Sequence, residues 1–564
     1  MLSPINAKHG IRFSGDVGKL IENLQNNWLV SVPETNPSII SVFRERDRKP
    51  YRRLLPWSGE FAGKYITGAY YIYKITRDER LCRVILDFSD QLIECQDSDG
   101  YLGCFKKESR MTGKNSYDEP GTWDAWNHYH IMYGLYLWFT ETKNEKYLEA
   151  VEKTASMFLG TFYNGKKRLK DIGSTETNLA ALHIFAVLYG QTGKKEYLDF
   201  ALEIAKDVES EEGGGYISCM DSGNEFYQCR KPRWESLHVI MGIDALGRVT
   251  GEEKYRDVAE KIVYSILRTD VHNTGGFSTR EQAVGTPFDN GAVELCCVIA
   301  FNALAAEVYR RKPATALADF LEISYYNAVM GSYSPSGRWS AYNTPMDGEK
   351  VANYNEIGFQ SRAGSPDLNC CSANSGRGLG QLSEWAFLTD NEKLYINFYD
   401  PCSFETEDGT KISIGGDYPH GSAVTVSAEC ITPVTLMLHI PEWSKNTFIN
   451  GEKVTGGEYF AYPCSAGVNN IKIEFDFSLR FELGHGDYEG KRCVFSGPVL
   501  FGCDLSENDL DLDSLPCVTD GDFEGVLPEY CPKSRKILLR LKNGLILSDF
   551  YRLGSSGSRY RTWI

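Results

Sequence analysis

The feature that most constrains the fold is a helical repeat in the first half of the chain. Four segments begin with a short polar turn, and each continues as a helix with apolar residues at three- and four-residue spacing. The turns begin at Thr76, Thr142, Thr192 and Thr250, and a more apolar helical stretch precedes each one. An apolar helix, a short turn and an amphipathic helix, repeated in this way, are typical of stacked helical hairpins.

Further helical segments flank the repeat. A fifth helix pair is predicted over residues 294–328, a first helix near 17–28 and another helix over 376–387. With these additions the hairpins are sufficient to close into an (α/α)6 barrel, and an open solenoid is the structural alternative. We therefore expect residues 1–388 to form the barrel domain.

The pattern changes after residue 388. Short runs rich in β-branched and aromatic residues alternate partly with polar ones, and Gly, Pro, Asn and Asp separate them. This pattern predicts antiparallel strands in a β-sandwich region over 389–564, with a division into two sandwiches near residue 480 as one possibility. The predicted fold class is thus multidomain α + β, an (α/α)6 barrel followed by an antiparallel β-sandwich region.

Charge and cysteine usage exclude several function classes. The chain carries 60 basic and 76 acidic residues, a net charge of −16, which disfavours nucleic acid and anionic membranes as partners. No apolar run is long enough to span a bilayer, and the amino terminus lacks the pattern of a signal peptide. The 16 cysteines lack the dense, regular spacing of a small secreted framework. We expect a cytoplasmic protein with mostly reduced thiols.

Two adjacent cysteine pairs, Cys296-Cys297 and Cys370-Cys371, need a separate explanation, because neighbouring cysteines rarely satisfy disulfide geometry. Glu294 precedes Cys296 by two positions. Thiolates and a carboxylate are good zinc ligands, and four of them complete a tetrahedral site. Spacing alone leaves two alternatives open, a pair of small buried residues and a zinc site with a purely structural role.

Motifs along nearly the whole chain resemble one enzyme family. They are PWSGEFAGKY from Pro56, QDSDGYLG from Gln96, WDAWNHYH from Trp123, YYNAVMGSYSPSGRWSAYNTP from Tyr325 and LHIPEWSKNTFINGEKV from Leu438. The most specific motifs are E-x-C over 294–296 and C-C-x-x-N-x-x-R-x-L over 370–379. Together they resemble the β-L-arabinofuranosidase family, glycoside hydrolase family 127 and its relatives, formerly a domain of unknown function.

The resemblance implies roles for particular residues. It implies that Glu294, Cys296, Cys370 and Cys371 bind Zn²⁺ and that Cys370 also attacks the sugar. The acid/base glutamate of the family lies upstream of E-x-C, after a TGG turn, where Glu281 stands in this chain. The segment between Glu281 and Glu294 is shorter than in relatives, so the correspondence of Glu281 rests on the turn that precedes it.

Four further residues are predicted sugar contacts. Glu322 and Tyr342 match pocket positions of the family, within the E-x-x-x-Y-N and Y-N-x-P stretches. His130 and Trp57 are the other two candidates. Their structural alternatives are a buried core histidine and a ring packed at a helix N-terminus.

The implied activity is that of a retaining exo-acting glycoside hydrolase. It would release a terminal β-L-arabinofuranose or a related sugar from an oligosaccharide or glycoside, as a monomer or homodimer. Ser372 and Ala373 stand where relatives carry prolines, and such departures leave the particular sugar open. Two other functions compete. One is another (α/α)6-barrel sugar enzyme, such as an unsaturated uronyl hydrolase or an epimerase; the other is a non-catalytic carbohydrate-binding protein stabilised by zinc.

Overall fold

The computed structural model describes residues 1–114, 123–163, 167–352, 367–390, 392–509, 515 and 518–564. Helices dominate the described residues as far as Trp385. They are α1 (Asp16–Leu24), α2 (Val32–Thr35), α3 (Ser38–Arg44), α4 (Glu60–Thr76), α5 (Glu79–Ile93), α6 (Asp124–Thr142), α7 (Glu145–Phe162), α8 (Thr175–Asn178), α9 (Ala181–Thr192), α10 (Lys195–Glu209), α11 (Tyr216–Asp221), α12 (Ser236–Thr250), α13 (Glu253–Thr269), α14 (Leu295–Arg311), α15 (Thr315–Ser324), α16 (Cys370–Gly380), α17 (Leu382–Trp385) and, near the carboxyl end, α18 (Asp520–Phe523). None of these helices is both long and apolar enough to cross a bilayer.

The predicted repeat corresponds to helical hairpins whose two helices are joined by the same kind of turn. The hairpins are α4–α5, α6–α7, α9–α10 and α12–α13. In each turn the threonine hydroxyl accepts the backbone N–H two residues later, at 3.2 to 3.4 Å, and the residue between them adopts the left-handed conformation. Such a residue ends one helix and allows the chain to reverse at once. The left-handed residues are Arg77, Lys143, Gly193 and Gly251.

Six helices form a closed inner ring. Each of α4, α6, α9, α12, α14 and α16 packs against its neighbours, and α16 completes the ring against α4. The last contact is close, since a Cβ atom at Gly376 would lie 2.6 Å from the carbonyl carbon of Gly68. The amphipathic helices lie outside. In α5, for example, Leu81, Ile85 and Leu92 point inward. The helical region is therefore a closed barrel, not an open solenoid.

The described chain from Phe387 to its end is rich in strands, and three short strands lie earlier in the chain. The strands are β1 (Ser3–Pro4), β2 (Arg12–Phe13), β3 (Asp347–Gly348), β4 (Phe387–Thr389), β5 (Lys393–Ile396), β6 (Cys402–Glu405), β7 (Lys411–Gly416), β8 (Ala423–Cys430), β9 (Val434–Ile440), β10 (Thr447–Ile449), β11 (Glu452–Val454), β12 (Glu458–Cys464), β13 (Gly467–Glu474), β14 (Arg480–Leu483), β15 (Arg492–Ser496), β16 (Val499–Asp504), β17 (Glu529–Cys531), β18 (Lys536–Arg540), β19 (Ile546–Asp549) and β20 (Tyr560–Arg561). This order of helices and then strands confirms the predicted fold class.

Two sheets form a sandwich beside the barrel. One has the order β1-β4-β5-β9-β12 and the other β11-β10-β13-β8-β7-β6-β2. Their inner faces meet, as the 4.7 Å separation of the Phe387 and Phe404 rings shows. Strands β1 and β2 belong to these sheets, so the first residues of the chain pair with strands far along the sequence. The predicted boundaries at residue 388 and near 480 stay predictions.

The end of the chain forms most of a third sheet. Its strand order is β14-β15-β16-β19-β18-β17, with β20 and β3 attached. Asn327, the asparagine of the E-x-x-x-Y-N stretch, connects this sheet to the barrel by two hydrogen bonds. Its side-chain amide donates to the Pro498 carbonyl at 2.9 Å, and its carbonyl accepts the Leu500 N–H at 2.9 Å. All three partners are buried, so this motif residue has a structural role.

We predict that Asn327→Leu destabilises the protein by about 2–4 kcal/mol, because a buried N–H and a buried C=O both lose their partner. Urea unfolding measures the loss, and Asn224→Leu, at an exposed asparagine, serves as the control. Equal stability of Asn327→Leu and the wild type would contradict the assigned role.

Candidate active site and metal centre

The predicted ligands lie at the N-terminal ends of two neighbouring inner helices. Glu294 is the residue that precedes α14, and Cys296 lies in the first turn of that helix. Cys370 and Cys371 are the first two residues of α16. Helix N-termini carry unpaired N–H groups and a partial positive charge, which favour anionic ligands. The fold therefore places four potential anions where two helices stabilise them.

A capping box fixes the start of α16. The Asn369 side chain accepts the Ser372 N–H, and the Ser372 hydroxyl accepts the Asn369 N–H, both at 2.9 Å. Such reciprocal bonds satisfy backbone donors that a helix start leaves free. Ser372 also accounts for one departure from the family pattern, since serine makes a capping bond that proline cannot make. The two cysteines between these residues are held in one orientation.

The four ligand atoms converge. They lie within 4.8 Å of one another in the buried interior. Glu294 Oε1 is 3.5 Å from the Cys370 sulfur and 3.4 Å from the Cys371 sulfur, and the two sulfurs are 3.9 Å apart. Zinc bond lengths in a tetrahedral site imply separations of about 3.5 Å between sulfur and oxygen and about 3.8 Å between sulfurs. The residues therefore fit a tetrahedral divalent metal ion with three sulfur ligands and one oxygen ligand.

A buried lysine supplies positive charge beside this cluster. Lys64 Nζ donates to Glu60 Oε1 at 2.9 Å and lies 3.8 Å from the Cys296 sulfur. Burial lowers the pKa of Lys64, but the negative charges of Cys296 and Glu60 outweigh that effect and raise it. Lys64 is therefore a cation at neutral pH, and it would partly offset the negative charge of three thiolates and a carboxylate around a bound metal ion.

The cysteines differ in their readiness to lose a proton. Burial works against ionisation of Cys296, but hydrogen bonds from Cys370 and Cys371, together with Lys64, hold the pKa of Cys296 well below its usual value. Burial and the Cys296 charge raise the pKa values of Cys370 and Cys371. The adjacent Lys64 therefore favours the thiolate form of Cys296, and a bound metal ion would favour the thiolate forms of Cys370 and Cys371.

Glu281 lies in a tight, strained turn. Arg280 and Glu281 have φ values of 48° and 69°, in the left-handed region. Backbone bonds between Thr279 and Gln282 close the turn, at 3.1 and 3.0 Å, and the Trp234 N–H donates to the Glu281 carbonyl at 3.2 Å. Consecutive left-handed residues other than glycine cost about 1–2 kcal/mol each. Such strain is common at functional sites, which supports a role for this turn.

The Glu281 carboxylate has two side-chain partners. Arg233 donates to Oε2 at 2.7 Å, and the Tyr342 hydroxyl donates to Oε1 at 2.9 Å. Arg233 also holds Glu235, at 2.8 and 3.0 Å. The Tyr342 carbonyl accepts the Leu295 N–H at 3.2 Å, directly after Glu294 in the chain. Tyr342 therefore connects the Glu281 carboxylate to the metal-ligand segment, and the structure brings both predicted residues to this site.

His130 lies in an aromatic wall of the barrel interior. Its ring is 4.4 Å from the Trp126 ring and 5.2 Å from the His238 ring. The Trp126 indole donates to Glu60, and Lys64 Nζ lies 5.0 Å from the Trp234 ring, so this wall adjoins the metal cluster. Burial, reinforced by Lys64, lowers the pKa of His130 well below its usual value. His130 Nε2 has no hydrogen-bond partner among the described residues.

The other two predicted sugar contacts have different surroundings. The half-buried Trp57 ring packs 5.0 Å from the Trp123 ring. Glu322 is buried in α15 and faces the sandwich, where the Tyr418 hydroxyl donates to it at 2.5 Å. No described hydrogen bond joins either side chain to the four-ligand cluster. Both roles as sugar contacts stay predictions.

Sequence reasoning missed Lys64, Arg233 and Glu235. A signal existed for the lysine, since Glu60 and Lys64 form a charged pair at i and i+4 within an otherwise apolar helix. Such a pair on a buried helix indicates a polar interior site. Arg233 and Glu235 gave no comparable signal, because their pairing with Glu281 depends on a contact between distant parts of the chain.

Comparisons with known proteins agree with the motifs. The family model of the β-L-arabinofuranosidase, GH127 catalytic domain, matches residues 22–384. A GH127 β-L-arabinofuranosidase from Geobacillus stearothermophilus T6 has a TM-score of 0.77 at 17% identity, over 98% of this chain and 99% of that chain. A second GH127 β-arabinofuranosidase has a TM-score of 0.78 at 17% identity, over 100% of this chain and 97% of that chain. No curated protein matches the sequence.

Glu322 is expected to make the stability of the fold depend on pH. Burial raises its pKa from 4.5 to about 7, against the opposing effects of His439 and Tyr418. The folded state then keeps a proton that the unfolded chain releases above 4.5. The contribution of Glu322 to the free energy of unfolding is therefore complete below pH 4.5. It decreases as the pH rises from 4.5 to about 7 and is constant above about 7.

Between about pH 4 and about pH 8, the wild type is expected to lose about 3 kcal/mol more stability than Glu322→Gln, which cannot ionise. Urea unfolding at both pH values measures this difference, and Glu458→Gln, at an exposed strand position, is the control. Parallel pH dependence of Glu322→Gln and the wild type would show that folding does not raise the pKa of Glu322.

Proposed function

The chain belongs to the family of the β-L-arabinofuranosidase GH127 catalytic domain and is a glycoside hydrolase that acts on glycans, and from that premise we propose its mechanism. We infer a retaining exo-acting enzyme in which Cys370 is the nucleophile and Glu281 is the general acid/base. The observation that carries the proposal is the convergence of Glu294, Cys296, Cys370 and Cys371 within 4.8 Å, beside a strained turn that presents Glu281.

The proposed cofactor is Zn²⁺, held by Glu294, Cys296, Cys370 and Cys371. Thiolates favour zinc over magnesium or calcium, and the fully buried, four-ligand arrangement suits its tetrahedral preference. A zinc ion bound there would keep the sulfur of Cys370 deprotonated at neutral pH. Lys64 and the two helix N-termini would partly balance the negative charge of the ligand set, and the remaining negative charge would keep the sulfur electron-rich.

In the first step the Cys370 sulfur attacks the anomeric carbon of the terminal sugar. A carbon–sulfur bond forms as the glycosidic carbon–oxygen bond breaks, and the electron pair leaves with the glycosidic oxygen. Glu281 donates a proton to that oxygen, so the leaving group departs as a neutral alcohol. The sugar remains attached to Cys370 as a thioglycoside.

In the second step Glu281 acts as a base. It takes a proton from a water molecule, whose oxygen attacks the anomeric carbon while the carbon–sulfur bond breaks and its electron pair returns to Cys370. Two displacements at the same carbon retain its configuration. Both steps return the enzyme to its starting protonation state.

The Glu281 carboxyl is held in place by two side chains. Tyr342 and Arg233 fix the carboxyl orientation from opposite oxygens. Arg233 is shared with Glu235, and burial raises the pKa of Glu235 to about 7. Glu235 therefore retains a proton over much of the range below neutrality, which limits the negative charge around the acid/base.

The proposed substrate is a glycan with a terminal β-L-arabinofuranose or a related sugar. The neutral His130 ring has an unpaired nitrogen in the barrel interior, and it can bond a sugar hydroxyl. The Trp57 ring and the aromatic wall around Trp126 provide apolar surfaces for the sugar face. Tyr342 would contact the sugar beside Glu281, and Glu322 is a further proposed contact.

Two substitutions separate the proposed roles. Cys370→Ala and Glu281→Gln should each lower kcat on a nitrophenyl β-L-arabinofuranoside by about 10³-fold or more, because each removes a group that reacts in the transition state. Elemental analysis should find that Glu281→Gln keeps its zinc, whereas Cys370→Ala binds it more weakly. Cys402→Ala, at a buried cysteine in the sandwich, is the matched control.

Wild-type turnover by Cys370→Ala would exclude a cysteine nucleophile. Full activity of zinc-loaded Glu281→Gln would exclude Glu281 as the acid/base and leave the nucleophile in place. Hydrolysis of a different furanoside or pyranoside with the same dependence on Cys370 would overturn the sugar assignment alone.

A further inference from the structure

A cavity lies at the junction of the barrel, the sandwich and the third sheet. This junction cavity has a volume of about 250 Å³. Its walls come from the turn before α1, the π-helical turn after α15, the segments after β5 and β7, and strands β16, β18 and β19. None of its lining residues belongs to the proposed catalytic set. We propose that the junction cavity is a second binding site, for one neutral sugar unit.

The side chain that points to a ligand is Asp400. It lines the cavity and is only 1% exposed. One carboxyl oxygen, Oδ2, accepts the Tyr326 hydroxyl at 3.2 Å. The other, Oδ1, has no hydrogen-bond partner among the described residues. A buried polar atom without a partner is costly, so a cavity beside it indicates that a bound group completes the bond.

Gly15 lies next to that oxygen, and both residues line the cavity. A Cβ atom at Gly15 would lie 3.1 Å from Asp400 Oδ1. The backbone of Gly15 has φ −84° and ψ −153°, an extended conformation that any residue adopts. Backbone geometry therefore does not require glycine here. A side chain at this position would crowd the Asp400 oxygen.

The charges around the cavity favour a neutral ligand over a cation. Asp16 is paired with Arg535, with Arg552 at 3.3 Å and with His420 at 3.5 Å, so its negative charge is balanced. Burial raises the pKa of Asp400 well above its usual value, which favours the uncharged carboxyl. Within the described ranges, only the Glu294 cluster gathers three or more metal-type ligand atoms.

The walls and the size favour a single sugar unit. Tyr326, Tyr418 and Tyr551 offer ring surfaces, and Met330 and Ile537 add apolar area. A few polar groups on a mostly apolar wall are typical of small-molecule sites, and drug-sized ligands occupy about 300–1,000 Å³. An uncharged carboxyl both donates and accepts, as sugar hydroxyls do. The exposed Ser14 and Asp417 stand at the rim, so the cavity opens to solvent.

Calorimetric titration of the metal-loaded full chain with L-arabinose, D-xylose and D-galactose tests the proposal. A further titration with maltotriose shows whether the cavity binds only a free monosaccharide or also the end of a glycan. Gly15→Ala and Asp400→Leu should each weaken this binding by tenfold or more. Gly160→Ala is the matched control, since a side chain there meets only open space. Competitive inhibition of hydrolysis reports binding in the catalytic pocket separately and should be the same in all three variants.

Thermal unfolding shows whether each variant is folded. Asp400→Leu, which replaces the carboxyl by an apolar group of similar shape, provides the second test if Gly15→Ala does not fold. Binding that is unchanged in both variants would overturn the proposal. So would the absence of any saccharide binding outside the catalytic pocket at millimolar concentration, or equally strong binding of glycerol or calcium chloride.

Discussion

The site depends on the meeting of two helix N-termini inside a closed barrel. Helix α16 brings Cys370 and Cys371 to Glu294 and Cys296 only because it packs against both α14 and α4. That packing in turn requires backbones to approach closely at Gly68 and Gly376. A larger side chain at either glycine would move α16 away from α4, and the ligand atoms would separate. The chemistry of the cluster is thus a consequence of how the ring of helices closes.

Much of the fold could be predicted from the sequence because the hairpins are local. The threonine turn, the left-handed residue and the apolar spacing of α5 all lie within a short stretch of chain, so periodicity reveals them. Helix ends were harder. The predicted helix over 376–387 begins at Cys370, because the Asn369–Ser372 capping box starts the helix earlier than its apolar residues indicate. The pairing of β1 and β2 with distant strands gave no local signal.

In the candidate site, too, local patterns revealed some residues, whereas contacts between distant residues gave no signal. The metal ligands were found because E-x-C and C-C are unusual as short patterns, and the family resemblance joined them. Glu281 was found from the turn before it, although the bonds that hold it come from Arg233 and Tyr342, which are 48 and 61 positions away. Lys64 illustrates what pattern reading omits. Its charge is balanced by Cys296, a residue 232 positions away, and only the folded structure shows that contact.

Zinc K-edge X-ray absorption on the purified wild-type protein identifies the atoms around the metal, so it shows whether the two chain segments share one zinc ion. We expect one tetrahedral zinc per chain, with three sulfur atoms at about 2.3 Å and one oxygen at about 2.0 Å. A metal shell without sulfur, or with a single sulfur, would show that the two chain segments do not share one ion, and the proposed mechanism would fail with it.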